Sequence, residues 1–113
     1  MKIELLYCDD CPSYQMAQKL LGEVLAEEQL PGEIKLIAIR TDADAQHWKF
    51  LGSPTIRFDG VDPFAQGETH YGLECRVYLR PDGLRGWPTK NMLREAVNNV
   101  IKQQGNLLHR YPA

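Results

Sequence analysis

Leu5-Leu6-Tyr7-Cys8-Asp9-Asp10-Cys11-Pro12-Ser13-Tyr14 is the stretch on which the rest of the chain turns. An apolar run enters two cysteines, and a proline then opens an amphipathic segment. Cys8 and Cys11 stand three residues apart, so one tight loop can bring their sulfurs within bonding distance. Pro12 fits the first helical position, where its missing N–H costs nothing. On that register Cys11 is the N-cap, beside unpaired amides and the positive end of the helix dipole. A thiolate is an anion that such a place favours, so the junction is chemical as well as architectural.

Outward from this junction the pattern repeats the same vocabulary. Lys2 to Tyr7 sets Ile3, Leu5 and Tyr7 on one face and Leu6 on the other, which predicts a strand buried on both sides. Ala17, Leu20, Leu21, Val24 and Leu25 carry helical spacing from Pro12 to about Gln29, and Pro31-Gly32 ends it. Glu33 to Ile39 predicts a second strand, parallel to the first across a βαβ unit. Thr41 or Asp42 caps a short second helix through Phe50, with Gly52 as its break. Ser53 to Gly60 is a third strand led in by Pro54, and residues 61–72 form a long loop. Leu73, Cys75, Val77 and Leu79 alternate with Glu74, Arg76 and Tyr78, predicting a fourth strand with one apolar face. Pro81-Asp82-Gly83 turns the chain, and Thr89 precedes a last helix through Leu93, Ala96, Val97, Val100 and Ile101. One domain is expected over 1–103 and a C-terminal tail over 104–113.

With 113 residues, 43% of them hydrophobic and 25% charged, the chain can bury one real core. A net charge of −2 without clustered Lys and Arg argues against nucleic acid as a partner. No apolar run is long enough to span a bilayer, so no membrane partner is expected. Residues 1–20 lack the basic start and apolar centre of a signal peptide, which makes a cytoplasmic location the expectation. In that compartment three cysteines are reduced, catalytic or metal-binding rather than structural.

The order β-α-β-α-β-β-α, with cysteines at the first strand-to-helix junction and a proline opening the third strand, resembles the thioredoxin/glutaredoxin superfamily. Leu51-Gly52-Ser53-Pro54-Thr55 is similar to the segment that ends in a cis-proline there. Gly86-Trp87-Pro88-Thr89-Lys90 with Leu93 is similar to the glycine segment before the final helix. The resemblance implies an α/β, thioredoxin-like fold with a four-stranded mixed sheet flanked by helices. Its strand order is second, first, third, fourth, with the first and third helices on one face and the second on the other. It also implies a cis Ser53–Pro54 bond whose Ser53 backbone binds an extended, thiol-bearing substrate.

Two registers of the motif stand side by side. In the thioredoxin register, Cys8 is the nucleophile and Cys11 resolves the mixed disulfide. In the glutaredoxin register, Cys11-Pro12-Ser13-Tyr14 resembles C-P-x-C, with Cys11 as nucleophile and Tyr14 in place of the resolving thiol. The helix-end field favours Cys11 as the more acidic thiol. Asp9 and Asp10 raise both thiol pKa values and make the dithiol the stronger reductant. Arg40, ending the second strand, is placed to hold a substrate carboxylate.

The expected function is thiol–disulfide exchange by Cys8 and Cys11 on a protein or low-molecular-weight thiol, without cofactor or metal. Cys75, about 17 Å from the motif at strand rise and sharing an apolar face, is expected to be a buried structural cysteine. His47, His70 and His109 show no metal-ligand spacing. A rival is capture of copper(I), zinc or mercury(II) by the cysteine pair with Asp9 or Asp10. Phe50-Leu51-Gly52-Ser53-Pro54-Thr55 and Tyr71-Gly72-Leu73-Glu74-Cys75-Arg76 are similar to small bacterial proteins grouped with alkylmercury lyases. A further rival is a binding module that presents the cis-proline face or the 61–72 loop.

Overall fold

Ile3, Leu5 and Leu6 are fully buried because helices cover both sides of the strand that carries them. The structure, a computed structural model, describes residues 1–109. Strand β1 (Ile3–Tyr7) leads to α1 (Ser13–Glu27), β2 (Ile34–Ala38), α2 (Asp42–Trp48) and β3 (Thr55–Phe58). After a long irregular stretch come β4 (Tyr78–Arg80), β5 (Gly83–Arg85) and α3 (Lys90–His109). The backbone of α3 thus continues through much of the segment expected as a tail, and residues 110–113 of that segment lie outside the described residues.

β1 is the central strand. It pairs parallel with β2, Ile3 opposite Ile34 and Tyr7 opposite Ala38, and antiparallel with β3, Ile3 opposite Phe58 and Leu6 opposite Thr55. Alternation then sorts the core. Ile3 and Leu5 pack with Ile56 and Phe58 against Ala17, Leu21 and Val24 of α1 and Leu93 and Val97 of α3. Leu6 points the other way, into a smaller cluster with Ile39, Phe50, Ala45 of α2, and both Cys8 and Cys11. The cysteines are therefore anchored by the α2 side of the sheet.

The sheet has three strands, in the order β2-β1-β3, and β4 with β5 forms a separate two-stranded hairpin. The expected four-stranded sheet is corrected by this. The reason lies in which face of residues 73–79 is buried. Val77 and Leu79, expected inside, are 62% and 74% exposed, whereas Tyr78 is 3% exposed. Arg76 turns inward to a buried ion pair with Asp62, Nη1 to Oδ2 at 2.6 Å, and stacks over the Tyr78 ring. Tyr78 packs edge-on against Phe64 and donates its hydroxyl to the Pro54 carbonyl. A shift of one residue exchanges the two faces of a strand, and here a satisfied Arg and Tyr won the inner one.

Two helix boundaries also moved. Thr41 caps α2 by accepting the Asp44 N–H at 3.0 Å, but the helix ends at Lys49, in the left-handed region at φ 52°, short of Gly52. Arg57 of β3 covers that end, donating to the Trp48 and Lys49 carbonyls. At α1, Pro12 has helical dihedrals yet occupies the cap position itself, with no side-chain cap. Cys11 therefore lies one residue before the cap, its carbonyl accepting the Tyr14 N–H at 3.5 Å. Among the described residues no helix is long and apolar enough to cross a membrane.

Candidate thiol–disulfide site

The cysteine motif leaves β1 as a tight turn. The Cys11 N–H donates to the Cys8 carbonyl at 3.1 Å, closing Cys8-Asp9-Asp10-Cys11 into one loop. Cys11 is not bonded to Cys8. It forms a disulfide with Cys75, 64 residues away in sequence, with the Cα atoms 5.8 Å apart. The disulfide in this structure is therefore not the expected Cys8–Cys11 bridge, and Cys75 is not the distant residue that an antiparallel fourth strand would have made it.

Cys75 reaches Cys11 because its segment runs alongside the entrance to β3. The Ser53 N–H donates to the Glu74 carbonyl at 2.8 Å, and the Arg76 N–H donates to the Ser53 carbonyl at 2.9 Å. Ser53 and Cys75 thus form a parallel bridge, opposite to the antiparallel direction expected for a fourth strand. Gly52 makes room for it. A Cβ there would lie 3.1 Å from the Arg76 Cβ and 3.2 Å from the Glu74 carbonyl oxygen, and its φ of +111° itself favours glycine. The Ser53–Pro54 bond is cis. Both backbone groups of Ser53 are engaged by residues 74–76, so the expected substrate contact at Ser53 and Pro54 is occupied by the chain itself.

An open pocket of about 460 Å³ gathers the chemistry, lined by Cys8, Asp9, Asp10, Cys11, Ile39, Arg40, Leu73, Glu74 and Cys75. Its disulfide is asymmetric: Cys11 is 3% exposed, while Cys75 is on the solvent side. Cys8 is the free thiol, buried, with its Sγ 4.0 Å from the Glu74 carbonyl oxygen. Burial pushes the Cys8 thiol above its ordinary value; the Ser53 hydroxyl opposes that rise, and the Asp10 and Asp9 carboxylates add to it. Ser53 Oγ is fully buried, finds no hydrogen-bond partner among the described residues, and acts on the Cys8 thiol in the direction of a lower pKa.

No protein-family model, curated protein or solved structure matches this chain. Its functional reading therefore comes from the site's own chemistry. Arg40 is brought to the pocket, but its Nε lies 3.7 Å from Asp9 Oδ2, an exposed pair of small energetic weight. Tyr14 is not brought there: it stacks on Tyr7 at a centroid distance of 4.2 Å and packs against the larger core. His47 contacts Trp48 edge-on, and His70 lies 3.7 Å from Glu74 Oε1. Among the described residues no group of three or more His, Cys, Asp and Glu side chains is arranged to hold a metal ion.

Cys75 is the residue that sequence reasoning missed. A signal for it was present in the length of 61–72, which gives the chain slack to return to the motif. A charged Arg76 between two apolar positions was a second signal, because Asp62 at the start of that loop could neutralise it.

Proposed function

We propose that the protein is a thiol–disulfide oxidoreductase whose redox couple is Cys11 and Cys75, acting on a protein or low-molecular-weight thiol without a cofactor. The observation that carries this is the disulfide between a buried cysteine at a helix start and an exposed cysteine on a pocket rim. In the reduced state the Cys75 thiolate attacks one sulfur of a substrate disulfide and expels the first substrate thiolate. Cys11 then attacks Cys75 Sγ, closing the internal disulfide and releasing the second substrate thiolate. Two electrons pass from the cysteine pair to the substrate, and the reverse sequence oxidises a dithiol. The start of α1 favours the thiolate of Cys11, making it a good leaving group when the disulfide opens.

The resemblance of the cysteine junction and of Leu51–Thr55 to the thioredoxin/glutaredoxin superfamily supports the same chemistry. In a reducing compartment such as the cytoplasm, a disulfide is a catalytic or sensing intermediate rather than a staple. Equilibration in dithiol buffers of defined potential, followed by thiol counting, tests this. A two-electron transition of the Cys11–Cys75 pair between about −120 and −270 mV is expected. A midpoint below about −300 mV would make the bond structural.

A soft-metal reading draws on one specific observation: all three cysteines border one pocket with Asp9, Asp10 and Glu74. Reduced thiols there suit copper(I), mercury(II) or zinc. Stoichiometric uptake by the reduced protein, without disulfide turnover, would favour it.

A further inference from the structure

The exchange between Cys11 and Cys75 leaves Cys8 without a part. Cys8 is nevertheless held against both partners. A hydrogen-bonded β-turn keeps its end Cα atoms within about 7 Å, and disulfides span Cα distances up to about 6.8 Å. The turn closed by the Cys11 N–H therefore holds Cys8 and Cys11 at a separation compatible with a disulfide while Cys11 is still bonded to Cys75. On its other side, the Cys8 Sγ lies 4.0 Å from the carbonyl of Glu74, the residue immediately before Cys75. The third observation is independent of these. Ser53 Oγ is a buried hydroxyl left without a partner, and a buried donor carries a desolvation penalty until something accepts from it.

We propose that Cys8 is a third exchange thiol: its thiolate attacks Cys11 Sγ, forms a Cys8–Cys11 disulfide and releases Cys75 as a free thiolate at the pocket mouth. The Cys8 proton goes to solvent, and an electron pair of the Cys8 sulfur makes the new bond. The Cys11–Cys75 bond breaks with its pair passing to Cys75, which takes up a proton from solvent. One disulfide is lost and one is made, so no oxidant or reductant is consumed. The Ser53 hydroxyl stabilises the attacking thiolate. The outcome is that oxidising equivalents sit in the interior turn while a reactive thiol stands exposed on the 74–76 segment. Ser53 still holds that segment through its backbone, and Asp62 through Arg76.

The groups that face Cys8 set when this occurs. Asp10 and Asp9 in the turn disfavour a thiolate, Glu74 of the 74–76 strap lines the same pocket, and Arg40, just beyond β2, lies 3.7 Å from Asp9. Burial holds the thiol above its ordinary value, so the thiolate fraction climbs steadily through the neutral range.

The proposal rests on the reading that the Cys11–Cys75 disulfide is open to exchange, and one experiment with two readouts separates them. Oxidised full-length protein, free of external thiol, is incubated with excess N-ethylmaleimide from pH 6.5 to 8.5 and mapped by peptide mass. Maleimide on Cys75 together with a Cys8–Cys11 linked peptide is expected, with a rate rising about tenfold per pH unit. In Cys8→Ser the Cys75 label should vanish from the oxidised protein, and Cys75→Ser should form the Cys8–Cys11 bridge on oxidation. Label confined to Cys8, or a Cys8–Cys75 bridge with Cys11 labelled, overturns the proposal. The redox titration of the wild-type protein is the second readout. A normal two-electron transition with Cys75 never labelled removes the third thiol alone, whereas absence of any transition in the exchange-active range removes the oxidoreductase reading.

Discussion

Cys8 and Cys75 both lie beside Cys11, but they arrive by different physics. Cys8 gets there through one four-residue turn, closed by a single backbone hydrogen bond. Cys75 comes from 64 residues away. Its position depends on side chains that share no local pattern: Asp62 neutralising Arg76, Tyr78 reaching Pro54, and Gly52 leaving space for the strap. Short-range proximity is therefore robust to most substitutions. Long-range proximity is only as strong as the buried groups that hold it.

The largest effect should come from breaking the buried pair. The Asp62 and Arg76 side chains are 8% and 9% exposed, so Arg76→Ala leaves a buried carboxylate without its cation. A loss of about 3–5 kcal/mol is expected in urea unfolding of the reduced protein. The Cys8–Cys11 turn should survive it, and oxidation should then yield Cys8–Cys11 in preference to Cys11–Cys75. A loss under about 1 kcal/mol would mean that other contacts hold the strap.

Gly52→Ala makes a milder cut in the same arm. The added methyl group meets the Arg76 Cβ and the Glu74 carbonyl, and a φ of +111° strains any L side chain. A cost of about 1–3 kcal/mol is expected, together with slower closure of Cys11–Cys75 after reduction, followed by quenched thiol labelling. Unchanged closure kinetics would show that the strap can shift away without losing register.

The smallest effect belongs to the local arm. The Asp10 carboxylate adds to the rise in the Cys8 pKa, so Asp10→Asn should lower it and modestly speed maleimide labelling of Cys8 at pH 8. The same raised pKa has a consequence for stability. The contribution of the neutral, buried Cys8 is fully present below the unfolded thiol's pKa and is lost as pH rises through the folded value. Unfolding midpoints of wild-type protein and Asp10→Asn should therefore diverge only on the alkaline side, with wild type losing more stability there than the variant, whose Cys8 thiolate is no longer repelled by a carboxylate at position 10. Divergence at acidic pH would assign the difference to the turn itself.

Much of this molecule could be read along the chain. Spacing alone determined the β1-α1-β2 unit, a cap at Thr41 or Asp42, the tight turn at the cysteines and the apolar faces of α1 and α3, because each depends on residues within a few positions of one another. The alternation at 73–79 was visible too, but alternation says that two faces differ and leaves open which one turns inward. Only the tertiary structure decided that. Asp62 was available to neutralise Arg76, Phe64 and Pro54 received Tyr78, and the apolar Val77 and Leu79 were left to solvent. That choice made a hairpin instead of a fourth sheet strand and carried Cys75 to Cys11. A buried ion pair is made by two residues far apart in sequence, and no local period records that they will meet.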